Sequence, residues 1–512
     1  MPSLHRRSDL VLLASGFFVL CVVYYFWGWS HVLGDLGGDN AYYLLTARHF
    51  SPWSTHSDVA TYFATHSQYP PLYPLVLAIL GGGESLLVAH LITVTCLLLT
   101  FVVFYTWLRM LDVPVLVACL LILLFALMFG TYMQALSVLS ENLYLFLTLA
   151  CLTAVASYER YKRLVWLWIA AVSLAAAMLT RSAGVSLLAA FVLYLLLYRP
   201  PRFWLFIIAV TLPIVTWNFF SSQEGPGYLS ILMDKYKNDP ITILMQQLAV
   251  EGQLLWYGWI RSFTGSDAAL PLLGILGVLC LSGAGYRLYL HKMDGWYVAA
   301  YLLLILLWPF PAEAQRLLFV IMPVLLTQGV LLLKVLPKLQ ITRFEIRSVY
   351  FLYLAILLII LPDLFLTGAR FMAPLPKELV DYRRMSRWYY IEPNEARMSI
   401  IASEALVTHL GSLQSIVPEK DCIYGIKPSI VGYYSGHISM IPPRPDFDDA
   451  TFNAYLKKTD CRYFYVMSIF SPSFPEPYYP LARLHESLKV ISATPKKNMV
   501  GPIGMLAVQK KH

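Results

Sequence analysis

Residues 85–108 read SLLVAHLITVTCLLLTFVVFYTWL, without one Asp, Glu, Lys or Arg. An α-helix rises about 1.5 Å per residue and a bilayer's hydrocarbon layer is about 30 Å thick, so roughly 20 apolar residues span it. This run is long enough, and its apolar character continues round the whole helix instead of forming one stripe with a wet face. Comparable blocks fall at 10–29, 113–130, 143–157, 164–179, 183–197, 203–220, 270–284, 296–308, 317–333 and 350–366, eleven candidate spans in all. Several are short, and these need flanking polar residues or packed surroundings to cross.

Composition agrees with a lipid solvent. Of the 512 residues 58% are hydrophobic and 13% charged, against roughly 25% charged in soluble domains. The net charge of +8 does not point to nucleic acid, because the basic residues are dispersed between apolar blocks, which is how membrane topology is encoded. The first block follows His5, Arg6 and Arg7 as a signal peptide would, yet it is too long and ends in Phe26-Trp27-Gly28-Trp29 instead of small residues, so it is expected to be retained as a helix. Five of the seven cysteines, Cys21, Cys96, Cys119, Cys151 and Cys280, sit in apolar blocks as small hydrophobes. Cys422 and Cys461 lie outside the blocks in a tail expected in an oxidising compartment, where a disulfide between them is open.

One set of loops carries Arg6, Arg7, Arg109, Arg160, Lys162, Arg163, Arg199, Arg202, Arg287, Lys292, Lys334, Lys338, Arg343 and Arg347, whereas the alternate set carries only Arg48, Arg181, Lys235, Lys237, Arg261 and Arg316. The richer set is expected on the cytoplasmic side, and an odd number of spans then places the tail outside. The fold class expected is an α-helical polytopic membrane protein over 1–367, with a long first outer loop 30–84, and a C-terminal α/β domain over 368–512. A second long outer loop is expected over 221–269. Within the first loop, 40–50 has helical composition and 70–80 an apolar face broken by prolines, which suits segments lying along the membrane. In the tail, 394–413 reads as helix, and 422–426 and 462–469 as strands.

The first outer loop opens with GDLGGDNAYYLLTARHF, placing Asp35 and Asp39 just past the first span, with Tyr42 and Tyr43 one turn after Asp39. Asp after Gly is a common turn or helix-start residue, so Asp39 is read both as a helix cap and as a chemical group. Glu141 precedes the fourth span, Arg181 follows the fifth, and Glu313 with Arg316 precedes the tenth, all on the face of Asp39. Charges at membrane depth cost roughly 2.5–3.5 kcal/mol at mid-helix, so they usually line a site. The bland alternatives are arginines snorkelling to head groups and Glu313 pairing with Arg316. Two carboxylates facing two arginines suit chemistry on a lipid-linked phosphate, because guanidinium matches phosphate oxygens in pairs and a carboxylate accepts a proton. Tyr69, before Pro70 and Pro71, either shapes an acceptor pocket or ends a loop segment. His49, His56 and His66 lack metal-site spacing and read as surface or satisfied histidines.

The strings GGDNAYYLLTARHF, QYPPLYPLVLAIL, LSENLYLFL, LTRSAG and AEAQRLLFVIMP resemble the GT-C superfamily of glycosyltransferases. Within it the chain is most similar to the bacterial protein-mannosyltransferase-like branch that includes the aminoarabinose transferases of lipid A. The likeness covers about residues 10–335 and, more loosely, the tail, where GYYSGHISMIPP resembles the family's outer domain. The resemblance implies a catalytic base at Asp39, with Asp35 the weaker match, a second acid at Glu141, and donor-phosphate contacts from Arg181 and Arg316, supported by Tyr42, Tyr69 and Glu313. Members often carry two adjacent acids in the first loop, whereas here Asn40 follows Asp39. No metal ligands are therefore assigned; no soluble cofactor is required, and a divalent cation is the one addition left open. The implied partners are a polyprenyl-phosphate-linked sugar donor, a lipid, glycan or protein acceptor, and membrane lipids. The implied place is the bacterial inner membrane, with the C-terminal domain periplasmic. A transporter or flippase of a lipid-linked sugar is the alternative. It fits less well with a single long first loop and a single outer domain, since transporters are commonly built from two repeated halves. A noncatalytic scaffold is the third reading.

Overall fold

A computed structural model describes residues 7–54, 57–67, 69–220, 233, 236–237, 239–264, 270–308, 310, 313–335, 345–390, 392–444, 446–467, 481–484, 487–494 and 503–509. Along the chain run α1 (Arg7–Trp27), α2 (Asp39–Phe50), α3 (Asp58–Thr65), α4 (Leu72–Ile79), α5 (Leu86–Met110), α6 (Val115–Leu127), α7 (Phe129–Gln134) and α8 (Glu141–Tyr161). There follow α9 (Val165–Thr180), α10 (Val185–Tyr198), α11 (Phe203–Phe220), α12 (Pro240–Phe263), α13 (Leu270–Tyr289), α14 (Met293–Leu306), α15 (Ala314–Val335) and α16 (Glu345–Met372). The tail adds α17 (Arg387–Tyr390), α18 (Pro393–Ser412), β1 (Ile423–Tyr424), α19 (Pro428–Ser435), β2 (Ser439–Met440), α20 (Asp449–Thr459), β3 (Tyr463–Met467), α21 (Leu481–Leu484), β4 (Leu488–Ala493) and β5 (Gly504–Gln509).

Among the described residues five helices are long and apolar enough to cross a membrane, and six shorter apolar helices accompany them. Together they fall on the eleven runs read from the sequence. Helix is the form a run takes in hydrocarbon because it satisfies every backbone N–H and C=O internally. Two compact units are resolved, one comprising Met1–Trp29, Gln68–Tyr73 and His90–Ala369, the other Ser30–Ser67, Pro74–Ala89 and Arg370–His512.

In the first unit α8 and α9 form a hairpin whose turn is set by Lys162, left-handed at φ 56°. Close approach is written in small residues: a Cβ on Gly283 of α13 would collide with the backbone oxygen of Gln328 on α15, so these helices meet backbone to backbone. Buried polar groups tie further helices together. The Tyr73 hydroxyl meets that of Thr93 at 2.7 Å, and Asn142 Nδ2 donates to the carbonyl of Gln134 at 3.3 Å. The expected loop over 221–269 contains instead the 24-residue α12. Asp239 caps it by accepting the Thr242 N–H at 3.2 Å, and Pro240 opens it.

The second unit centres on a five-stranded sheet ordered β2-β1-β3-β5-β4. β1 runs parallel to β2 and β3, while β5 runs antiparallel to β3 and β4. Cys422 and Cys461 form the disulfide, Cα atoms 4.9 Å apart, beside a core of Tyr424, Phe452, Phe464 and Leu484. The α18 helix lies over the sheet, and its buried His409 meets the Tyr465 hydroxyl at 2.8 Å with Nδ1 and that of Ser492 at 2.7 Å with Nε2. Burial pushes the His409 imidazole below its ordinary 6.5. A folded-state value under the unfolded one means that the unfolded chain binds the proton more readily, so the stability conferred by neutral His409 is complete above about pH 6.5 and is lost as pH falls through the lowered value. Thermal unfolding of the purified protein is expected to have a lower midpoint near pH 5.5 than near pH 7.5, and His409→Gln should narrow that difference. An unchanged difference would remove His409 as its source.

Candidate functional site

Glu141 is the first residue of α8 and is fully buried, with a side-chain exposure of 0%. Two guanidiniums meet it. Arg181 Nη1 lies 2.7 Å from Glu141 Oε1 and also donates to Ser140 Oγ at 3.1 Å, and Arg316 Nε pairs with the same Oε1. The local chain explains each placement. The backbone of Arg181 is extended at φ −149° and ψ 140°, stopping α9 at its C-cap before a single 3-10 turn over Ser182–Gly184. Arg316 stands in the first turn of α15. A helix start and a helix end are thus brought side by side with a third helix start.

Arg181 and Arg316 are 11% and 22% exposed, so the trio is largely withdrawn from water. Buried charges persist when paired, and the planar N–H forks of two arginines suit the oxygens of a phosphate monoanion or diester. Tyr301, donating its hydroxyl to the Leu317 carbonyl at 3.2 Å, and Tyr297, ring centroids 5.6 Å apart, add buried phenols to this region of α14 and α15.

Glu313 stands just before α15 and accepts the Trp308 indole N–H at 3.3 Å. Its neighbour Arg316 is directed to Glu141. The stretch from Leu306 to Gln315 is braced by α12, a helix within the segment expected as a loop. Gln247 Nε2 donates to the carbonyls of Leu306 and Trp308 at 3.2 and 2.8 Å, and its Oε1 accepts from Tyr236 at 2.7 Å. Gln315 in turn donates to the Arg261 carbonyl at 3.3 Å, and Glu251 on α12 is fully buried. An Asp-Pro start before a helical apolar pattern was the signal that could have found this helix. Tyr69 lies half-buried in the bend that leads into α4.

Asp35, Asp39 and Tyr42 belong to the second unit. Asp35 Oδ1 accepts the Gly37 N–H at 2.5 Å, a local Asx turn. The cap position of α2 is Gly38, with no side-chain cap, and Asp39 is the first helical residue, near the positive end of the helix dipole. The reading of Asp39 as the cap itself is thereby corrected: the cap site falls one residue earlier, on a glycine. Tyr42 fastens α2 to α3, donating to the His66 carbonyl at 2.9 Å with its ring 5.2 Å from that of Phe63, and burial pushes its phenol upward. His49 meets the Thr61 hydroxyl at 3.2 Å and His66 the Tyr62 carbonyl at 2.9 Å, while His56 lies outside the described residues. Among the described residues no group of three His, Cys, Asp or Glu is placed to hold a metal ion.

No protein-family model matches the sequence, and no curated relative matches it. Solved structures do. ArnT from Cupriavidus metallidurans bound to undecaprenyl phosphate is 12% identical, with a TM-score of 0.55 over 98% of this chain and 98% of that chain. The same protein in the apo state gives 12% identity and a TM-score of 0.54 over 97% and 98%. An Archaeoglobus fulgidus oligosaccharyltransferase, tethered with an acceptor peptide containing the NVT sequon, gives 13% and 0.51 over 88% of this chain and 69% of that one. The chain has their fold, a polytopic helical membrane protein with a C-terminal domain, as the sequence resemblance led us to expect.

Proposed function

We propose that the protein is a membrane glycosyltransferase that moves a sugar from a polyprenyl-phosphate donor to a lipid, glycan or protein acceptor by inverting displacement. One observation carries the reading: Arg181 and Arg316 are gathered on the buried Glu141 at the ends of apolar helices. A lipid-linked phosphate is an anion delivered at membrane depth, and a structure of the same fold binds undecaprenyl phosphate.

In this reading Arg181 and Arg316 hold the donor phosphate and stabilise it as it leaves, usually the larger catalytic contribution. Glu141 keeps the two forks in place. Asp39 takes the proton from an acceptor hydroxyl or amine, whose lone pair forms the new bond to the anomeric carbon while the bond from that carbon to the phosphate oxygen breaks. Glu313 and Trp308 shape the approach to Arg316; Asp35, Tyr42 and Tyr69 support the first loop. The positive-inside bias supports the non-cytoplasmic face for this chemistry, with the domain beyond residue 367 on the same side.

The test uses the purified protein in liposomes with a synthetic polyprenyl-phosphate sugar and a mixture of lipid and glycan acceptors. Release of polyprenyl phosphate coupled to a glycosylated product is expected. Movement of labelled donor between leaflets with its sugar–phosphate bond intact would instead establish the transporter reading.

A further inference from the structure

The first outer loop and the C-terminal domain share one packed unit, and their contact falls on the residues beside Asp39. The Gly38 carbonyl accepts the Ser429 hydroxyl at 2.7 Å. Gly38 itself holds φ 109°, a left-handed conformation that side chains rarely adopt, and a Cβ there would lie 3.1 Å from Ser429 Oγ and 3.7 Å from Cδ of Lys427. Four residues earlier the Gly34 carbonyl accepts the Ser386 N–H at 2.8 Å. The tail therefore grips the loop on both sides of its Asp35–Gly37 turn.

The grip continues along α2 and α3. A Cβ on Gly432 of α19 would come within 2.7 Å of the Phe63 ring, and the Arg48 guanidinium stands 4.5 Å over the ring of Tyr433. Only at Gly38, however, does a tail hydroxyl hold the peptide immediately before Asp39. Glycine contributes the most backbone freedom of any residue, and the Gly38 dihedrals set the direction in which the first helical side chain departs. Such a joint keeps one setting only if something outside the loop fixes it, and the buried Ser429 does so.

We infer that the Lys427–Ser429 turn of the C-terminal domain is a positioning element for Asp39, with Ser429 fixing the Gly38 carbonyl and the Lys427 stem standing beside the same residue. The catalytic part rests on Asp39 being the base proposed above. The tail is then a working part of the transfer site and not a detachable acceptor module.

The experiment compares full-length wild type with Ser429→Ala, Ser429→Thr and Lys427→Ala, reading backbone hydrogen exchange over residues 34–44 alongside the transfer kinetics. Small displacements of a reacting group cost up to about 100-fold in rate. Ser429→Ala is expected to exchange faster over this segment and to lose about tenfold or more in kcat, with donor KM and melting temperature little changed. Ser429→Thr, which keeps the hydroxyl, should restore both, and Lys427→Ala should show the same changes in smaller measure. Wild-type exchange and kcat in both alanine variants would overturn the inference. If Ser429→Ala does not fold, wild-type exchange in the half-buried Lys427→Ala overturns it by itself. Altered exchange in a protein whose wild type transfers no sugar would sink the proposed function while leaving the positioning intact.

Discussion

Asp39→Asn is expected to lower sugar transfer by about 10²- to 10⁴-fold, the usual worth of a general base, while the protein keeps its fold. Asn has the shape of Asp and holds polar contacts, but its amide does not take up a proton at neutral pH. The residue occupies the first position of α2, one after the cap residue Gly38, and asparagine fits the same place. The loss of a negative charge beside the positive end of the helix dipole costs about 0.3–1 kcal/mol. Activity and melting temperature should therefore separate widely. Wild-type kcat in this variant, in the assay that shows transfer by the parent, would dismiss Asp39 as the base. Asp35→Asn provides the contrast: its carboxylate is engaged in the turn to Gly37, so its effect should be the smaller of the two.

The transmembrane runs were legible because hydrocarbon leaves a chain little freedom. Each span had to be continuous and apolar, and 85–108 announces itself without help from its surroundings. α12 was hidden for the opposite reason. Its buried face carries Gln247 and Glu251, and Gln247 is satisfied by the distant carbonyls of Leu306 and Trp308, so the local pattern reads as polar loop. The same limit applies to the sheet. The residues of β1 and β3 read as strands, but the two-residue β2, parallel to β1, owes its pairing to the chain segment folded between them.

The site was legible by charge and not by geometry. Charges that are costly in a membrane mark themselves in a sequence, which brought out Glu141, Arg181, Glu313 and Arg316 together. Adjacency in sequence, however, made Glu313 the natural partner to weigh for Arg316. The structure adds partners that adjacency does not show: Glu141, 175 residues away, for Arg316, and the Trp308 indole for Glu313. Nor was there a pattern to reveal that Ser429 would reach Gly38 across 391 residues of chain.

Glu141→Gln should be among the most destabilising substitutions in the protein, and the direction of its rescue tests what the trio is for. The wild-type carboxylate is shared by two guanidiniums and has no exposed surface. Removing its charge leaves two like charges close together in a poorly polarisable setting, and breaking a buried pair in this way costs about 3–5 kcal/mol. Replacing Arg316 by Met in the same protein removes one of the opposed charges, so Glu141→Gln with Arg316→Met should be less destabilised than the sum of the two changes, as expected for residues in contact. A phosphate should achieve the same by supplying the missing negative charge. Polyprenyl phosphate added to purified Glu141→Gln protein is therefore expected to raise its melting temperature more than it raises that of wild type, where Glu141 already occupies the forks. Uncharged polyprenol, with the same tail, should not. If both lipids stabilise the variant equally, the hydrocarbon tail accounts for the binding and the arginines are structural. If the variant melts with wild type, the trio carries no buried charge worth pairing, and the proposed phosphate site loses its foundation.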